Sequence, residues 1–413
     1  MVKKRELAST CDPRKVFIAK ELLARRCLRQ LACGGSGKNV VLRLLGVARL
    51  NLGIGASGHS YCWERQVRSY GFIAPFGSSA TTRTIVGMIT SKHAAKSIAA
   101  KQTTLGDDVS VTGVGVHSGA PVTLTMHPAD AGTGIVFQRS CTNGNSLREI
   151  RADVRAVTAT EFATVLGDDD GPLCSTAEHV MAALSALGVD NVVIEVDGPE
   201  VPIMDGSADA FVAAIDQAGI VTLDARRRYL KVLKPVRVAR DGAIGELLPN
   251  ANGFRLEVEI AFDHPLIGRQ FCNIDVDAAN FRRELSRART FGFMKDVSNL
   301  WSAGFALGAN FDNTLVISDD RVLNSDGLRY PDEFVRHKTL DALGDLALAG
   351  APMLATYRSV RGGHKLNHAV LSTLMSNRSA WTMVEAGAQP RRSRGHADVS
   401  AGLMAVAYGQ DVS

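Results

Sequence analysis

The sequence predicts an α+β fold made of two halves of similar topology, each a β-sheet layered against α-helices. Three observations carry this expectation. Val109–Val116 and Val122–Met126 alternate apolar with small or polar residues, the pattern of half-buried strands. Ser175–Leu187, closed by Gly188, and Ala208–Gln217, ended by Gly219, have helical periodicity with glycine stops. The same order, strands and then helices, recurs on both sides of a basic turn at Arg226-Arg227-Arg228.

The remaining elements follow in order. Asn191–Val196 is a short apolar strand between the first two helices. After the arginines, Tyr229–Val238, Arg255–Ala261 and Gln270–Ile274 read as strands. Glu333–Ala349 is a long helix with Pro331 before it and Gly350 after it, and Asn367–Met375 is another. The expected organisation is an N-terminal extension over 1–100, one domain over 101–226, a second over 227–385 and a mobile tail over 386–413.

Charge divides the chain differently. Residues 1–100 carry 17 Lys/Arg and 4 Asp/Glu, or +13; the rest carries 30 and 38, or −8; the sum is the overall +5. A basic front therefore precedes an acidic body, and the body offers no electrostatic footprint for nucleic acid. The front admits a targeting peptide, a basic arm, or sequence upstream of a working start at Met88, and the last is the expectation. Gly34-Gly35-Ser36-Gly37-Lys38-Asn39 fails as a phosphate loop, because Ala32 stands where the first glycine belongs and Asn39 where the hydroxyl belongs. The 7 cysteines form no C-x-x-C pair, which suits a reducing compartment. No apolar run is long enough to span a membrane.

Three short segments could carry chemistry. Ser175-Thr176-Ala177-Glu178-His179 sets a carboxylate beside an imidazole, but Ser175 and Glu178 also form a capping box, which is the stronger reading of that segment alone. His337 and Asp341 are i and i+4 on one helix face and could bind one divalent ion, with Asp345 a turn further along the stripe; a solvated polar face competes. Gly362-Gly363-His364 places an imidazole at a glycine turn, and His368 could make the same offer. Two histidines and an aspartate would leave a fourth zinc position open, so the implied class is metal-assisted hydrolysis of an amide or ester.

At these residues the sequence closely resembles the UDP-3-O-acyl-N-acetylglucosamine deacetylases, zinc amidases of lipid A biosynthesis in Gram-negative bacteria. The resemblance runs from about Gln102 to Met383. It rests on Gly113-Val-Gly-Val-His-Ser-Gly119, Ser175-Thr-Ala-Glu-His179, Pro202-Ile-Met-Asp-Gly-Ser207, Ser286-Arg-Ala-Arg-Thr-Phe-Gly-Phe293, Phe334-Val-Arg-His-Lys-Thr-Leu-Asp341 with Gly344-Asp345, and Gly363-His364.

The resemblance implies roles for these residues. His179, His337 and Asp341 are the expected zinc ligands. Glu178 is the expected general base that deprotonates the zinc-bound water. His364, oriented by Asp345, is expected to stabilise the oxyanion and protonate the departing nitrogen. Thr290 is expected to donate a hydrogen bond to the oxyanion, and Phe291 and Lys338 to contact substrate. Met294, Val297, Leu300, Phe311 and Val316 belong to an insert expected to form an acyl-chain passage. That insert reads Gly308-Ala309-Asn310-Phe311 where many relatives have Gly-Gly-Ser-Phe, which leaves the acyl length open. The implied protein is a cytoplasmic monomer acting on a small-molecule nucleotide-sugar lipid, with no nucleic-acid partner and no stable membrane insertion. A scaffold that binds through its basic front is the rival reading; deletion of residues 1–87 separates the two.

Overall fold

The computed structural model describes residues 100–140 and 147–386. The basic front, Cys141 and the tail beyond Ala386 lie outside the described residues, and so do the expectations that fall on them. The described residues begin with β1 (Lys101–Leu105), which pairs antiparallel with β10 (Ile220–Arg226). Between these strands lies a five-stranded sheet of β2 (Val109–Val114), β3 (Pro121–Pro128), β4 (Ile135–Ser140), β5 (Leu147–Arg151) and β9 (Val192–Val196). Its order is β2-β3-β9-β4-β5, antiparallel except where β4 meets β9. The alternation in β3 does what its period requires: Val122, Leu124 and Met126 are buried while their neighbours are not. A small sheet of β6 (Val157–Ala159), β7 (Val165–Asp168) and β8 (Gly171–Cys174) leads into α1 (Glu178–Leu187), and α2 (Asp209–Ala218) packs on β2.

The second half holds β11 (Arg228–Val232), β12 (Val236–Arg240), β13 (Ala243–Pro249), β14 (Phe254–Ala261), β15 (Arg269–Asp275), β18 (Met353–Val360) and β19 (Trp381–Glu385). These form a mixed seven-stranded sheet, with β18 parallel to both β11 and β14. A short helix, α3 (Ala278–Glu284), precedes the insert. In the insert, β16 (Phe291–Phe293) and β17 (Leu315–Ile317) run parallel, joined across α4 (Val297–Ser302). Finally α5 (Glu333–Ala347) lies against β14 and β15, and α6 (His364–Ser376) against β12 and β13. The α+β expectation of sheet-and-helix halves on either side of the arginines is met.

Four local expectations are corrected. The first strand stops at Val114, and residues 115–119 form a loop tied by Gly119 N–H to Gly115 C=O. The stretch Tyr229–Val238 is two strands, because Pro235 has no N–H to give a ladder. The arginine run is not a turn: Arg226 ends β10 and Arg228 begins β11, so the chain passes extended between the halves. The last helix begins at His364, three residues earlier than expected.

The halves meet helix on helix. α1 is apolar almost all round, and every residue in it except Ser185 is buried, as expected of a helix enclosed by its neighbours. Its partner is α5, and the approach is close. A Cβ added at Gly344 would lie 1.9 Å from the Glu178 carbonyl oxygen. Gly344→Ala is therefore expected to push the two helices apart and destabilise the protein by about 1–3 kcal/mol or more. Thermal unfolding would read this as a fall of roughly 2–4 °C per kcal/mol. An unchanged melting curve would contradict the contact. Among the described residues no helix is long and apolar enough to cross a membrane.

Candidate active site

The close approach of α1 and α5 places their polar residues together. Glu178, His179, His337, Asp341, Asp345 and His364 are each at least nine-tenths buried. One donor atom each from His179, His337 and Asp341 lie within 4.8 Å of one another. Asp341 Oδ1 stands 3.3 Å from His337 Nε2 and 3.5 Å from His179 Nε2. His337 gives its Nδ1–H to the Ala288 carbonyl at 3.0 Å, which leaves Nε2 as a lone-pair donor facing the carboxylate. Burial holds the His337 imidazole at a pKa of about 3, despite the opposing pull of Asp341, so it is neutral at physiological pH. Burial would raise the Asp341 carboxyl, but His337 and Lys338 outweigh it and hold the group well below the usual carboxylate range. Two imidazoles and a carboxylate thus converge on one point. Among the described residues, Asp341 Oδ1 and His179 Nδ1 are buried without a hydrogen-bond partner. A cation bound by this set would satisfy Asp341 Oδ1, and two imidazoles with a carboxylate suit a divalent transition metal.

A second group adjoins the first. His364 Nδ1 donates to Asp345 Oδ2 at 2.9 Å, and its Nε2 lies 3.9 Å from both Glu178 Oε1 and Asp341 Oδ2. Burial acts to lower the His364 pKa; Asp345 and Glu178 overcome it and push it up to about 9. The imidazole is therefore a cation at neutral pH. Burial raises Glu178 above its ordinary range, against the opposing pull of His364 and His179, which suits a proton acceptor near neutrality.

The capping box is not formed. Ala177 is the N-cap of α1 and offers no side-chain bond, while Thr176 takes a left-handed φ of 59°. Glu178 instead turns inward and accepts the Thr164 N–H at 3.1 Å. The competing histidine is also decided. His368 faces the Val154 carbonyl and Ser372, away from Asp345.

Of the remaining expected residues, Phe291 lies edge-on to His337, with ring centres 6.4 Å apart. Lys338 binds Asp341 Oδ2 at 2.8 Å and stands 5.8 Å above the Phe291 ring. Thr290 sits two residues beyond the carbonyl that orients His337, in a segment pinned at Thr290 N–H to Gly206 C=O. Met294 and Phe311 are exposed, and Val297, Leu300 and Val316 are half-buried, so the insert presents apolar surface.

Several contributors carry no recognisable spacing. Thr164 gives its hydroxyl to Asp345 Oδ1 at 2.5 Å, and Asn367, held by Tyr357, donates to Oδ2 at 2.8 Å. Buried Glu200 accepts from the backbone of His117 and Ser118 and from the hydroxyl of Thr176, tying the 115–119 loop to the entry of α1. Gly308 of the insert abuts the same loop; a Cβ there would meet the Gly115 carbonyl at 2.2 Å. Arg289 and Glu333, both buried, clamp the Ala288 segment to the start of α5. Arg289 and Gly308 lie in segments quoted above, and Asn367 stands one helical turn after His364.

Two α+β layers with a two-histidine, one-carboxylate cluster at their contact, beside a buried glutamate and a cationic imidazole, define a hydrolase of the metal-assisted class. The family model for UDP-3-O-acyl N-acetylglycosamine deacetylase (LpxC) matches residues 102–376. Proteins named UDP-3-O-acyl-N-acetylglucosamine deacetylase from Brucella ovis and Brucella canis are 53% identical over 288 residues, covering 70% of this chain and 99% of each relative. The Brucella melitensis protein of the same name matches to the same extent. The chain belongs to this deacetylase family.

Proposed function

We propose that this chain removes the N-acetyl group of UDP-3-O-acyl-N-acetylglucosamine, giving the free amine and acetate on the route to lipid A, with zinc held by His179, His337 and Asp341. The observation that carries this reading is the convergence of those three donors with Glu178 and the His364–Asp345 pair. When bound, zinc supplies Lewis acidity towards the amide and makes water more acidic. Glu178 takes the proton of the attacking water at its carboxylate. His364, cationic and held through Nδ1 by Asp345, faces the site with Nε2; it stabilises the developing oxyanion and gives its own Nε2 proton to the departing nitrogen, while the water proton stays on Glu178 and replaces it after turnover. Thr290 adds a hydroxyl donor to the oxyanion, and Phe291 and Lys338 form one wall for the substrate. The apolar surface of Met294, Val297, Leu300, Phe311 and Val316 receives the acyl chain. Residues 101–226 and 227–385 are the two domains, and the protein works in the cytoplasm as a monomer. Purified zinc-loaded protein should release acetate from this substrate; no release would overturn the assignment.

The rate should depend on pH as a bell. The acid limb follows protonation of Glu178, and burial sets it above the ordinary glutamate range. The alkaline limb follows loss of the His364 proton, at or below about 9, because a bound cation opposes imidazolium. Asp345→Asn removes the main charge that supports that proton, so the alkaline limb should move to lower pH while metal content is unchanged. A kcat/KM profile that stays flat from about pH 5 to about pH 9 would refute this division of roles.

A further inference from the structure

We infer that a cavity at the opposite ends of α1 and α5 is an oxyanion site, taking a phosphate-sized group between the guanidinium groups of Arg151, Arg227 and Arg228. α1 starts at the candidate active site with Glu178 and ends at Gly188; α5 ends at Ala347. Where they end, a cavity of about 150 Å³ is lined by Gln102, Arg151, Ser185, Asp190, Arg227 and Arg228, with apolar neighbours such as Ile135 and Met383. The deacetylase reading gives this place no task, although the arginine run is the most basic feature of the described residues.

The charges here are unbalanced. Asp190 is the one carboxylate lining the cavity, and it is already committed: Oδ1 takes Arg227 Nε at 2.9 Å, and Oδ2 takes the Thr103 N–H at 3.0 Å. Arg227 also gives one terminal nitrogen to the Gly188 carbonyl at 3.2 Å. Among the described residues, the Arg151 and Arg228 side chains make no hydrogen bond and no ion pair within 4.0 Å. Among the lining residues, three guanidinium groups stand against one carboxylate that is already bonded; outside the lining, Asp153 acts electrostatically with Arg151 and Glu385 stands opposite Arg228 in the β11–β19 ladder. Arg227 is buried while Arg151 and Arg228 are exposed, and like charges gathered around one partly enclosed space repel one another. An oxyanion removes that cost and accepts the paired N–H forks that guanidinium offers.

The wall is shaped for this arrangement. Arg151 lies over Gly134, where a Cβ would come within 2.7 Å of its terminal nitrogen. A side chain at that position would displace the guanidinium. Ser185, the one residue of α1 that is not buried, adds a hydroxyl to the lining.

Inorganic phosphate is the probe, titrated calorimetrically into the full-length protein in phosphate-free buffer, with ionic strength matched by sodium chloride. One saturable site per chain is expected, with a rise in melting temperature that chloride does not reproduce. Arg151→Gln combined with Arg228→Gln should weaken phosphate binding at least tenfold and leave deacetylation in phosphate-free buffer at the wild-type rate. Should that double variant fold poorly, Arg151→Lys alone should still weaken binding, because it keeps the charge and loses the fork. Glycerol phosphate in a parallel arm separates a site for the free ion, which would exclude it, from a site for a phosphoryl group on a larger molecule, which would bind it. Either result supports the proposal. Absence of phosphate binding, equal affinity in the arginine variants, or loss of binding in Lys338→Ala, which would put the ion at the candidate active site, would overturn it.

Discussion

Glu178→Gln is expected to lower kcat by about 10²–10⁴-fold, the usual contribution of a positioned proton acceptor. Metal content should stay at one ion per chain, and the melting temperature should change little. The reason lies in what the carboxylate touches. Glu178 is buried 3.9 Å from His364 Nε2 and accepts one backbone N–H, from Thr164. Glutamine has the same shape and can still accept that bond, so the entry of α1 keeps its geometry. It cannot take a proton from water near neutral pH. Total metal and acetate release should be measured on the same preparation. Loss of metal together with activity would show Glu178 to be a ligand; full activity would remove it from the mechanism.

Asp341→Asn should act at the other half of the site. Metal affinity should fall steeply, by an order of magnitude or more, and activity at limiting zinc should fall with it. Asp341 is the carboxylate that the His179 and His337 imidazoles both face, and its second oxygen neutralises Lys338. The amide would put a neutral group between two lone pairs and leave the Lys338 ammonium without its partner. Added zinc should recover part of the activity of this variant and none of that lost in Glu178→Gln. If Asp341→Asn bound zinc as tightly as the unaltered protein, the ligand set would be wrong. Chelation should likewise abolish acetate release by the unaltered protein, and zinc should restore it.

Much of the site was legible because it is local. His337, Asp341 and Asp345 repeat every four residues, and a helix of that period puts them on one stripe wherever the helix is placed. The alternation of β3 is local in the same way, and so are the glycine stops. The paired motifs on α1 and α5 made these residues recognisable as a set before any distance was known. Their residue types also limited the chemistry to lone-pair donors with a carboxylate and an imidazole to spare.

Other outcomes needed the assembled protein. The segment Ser175–Glu178 satisfies the capping pattern, and nothing within it says that Glu178 will be drawn inward to Thr164. His364 and His368 were equivalent by spacing. The first is chosen because its ring meets Asp345 on a different helix, while the second meets the carbonyl of Val154, 214 residues away in sequence. Thr164 reaches Asp345 across 181 residues, and the Ala288 carbonyl orients His337 across 49. Even the charge of His364 depends on which carboxylates its burial leaves beside it. Repeat and residue type determined what the chain could offer, since both are set by neighbours along it. The close contact of α1 with α5, possible because Gly344 has no side chain, decided which offers meet, since that depends on how two distant segments pack.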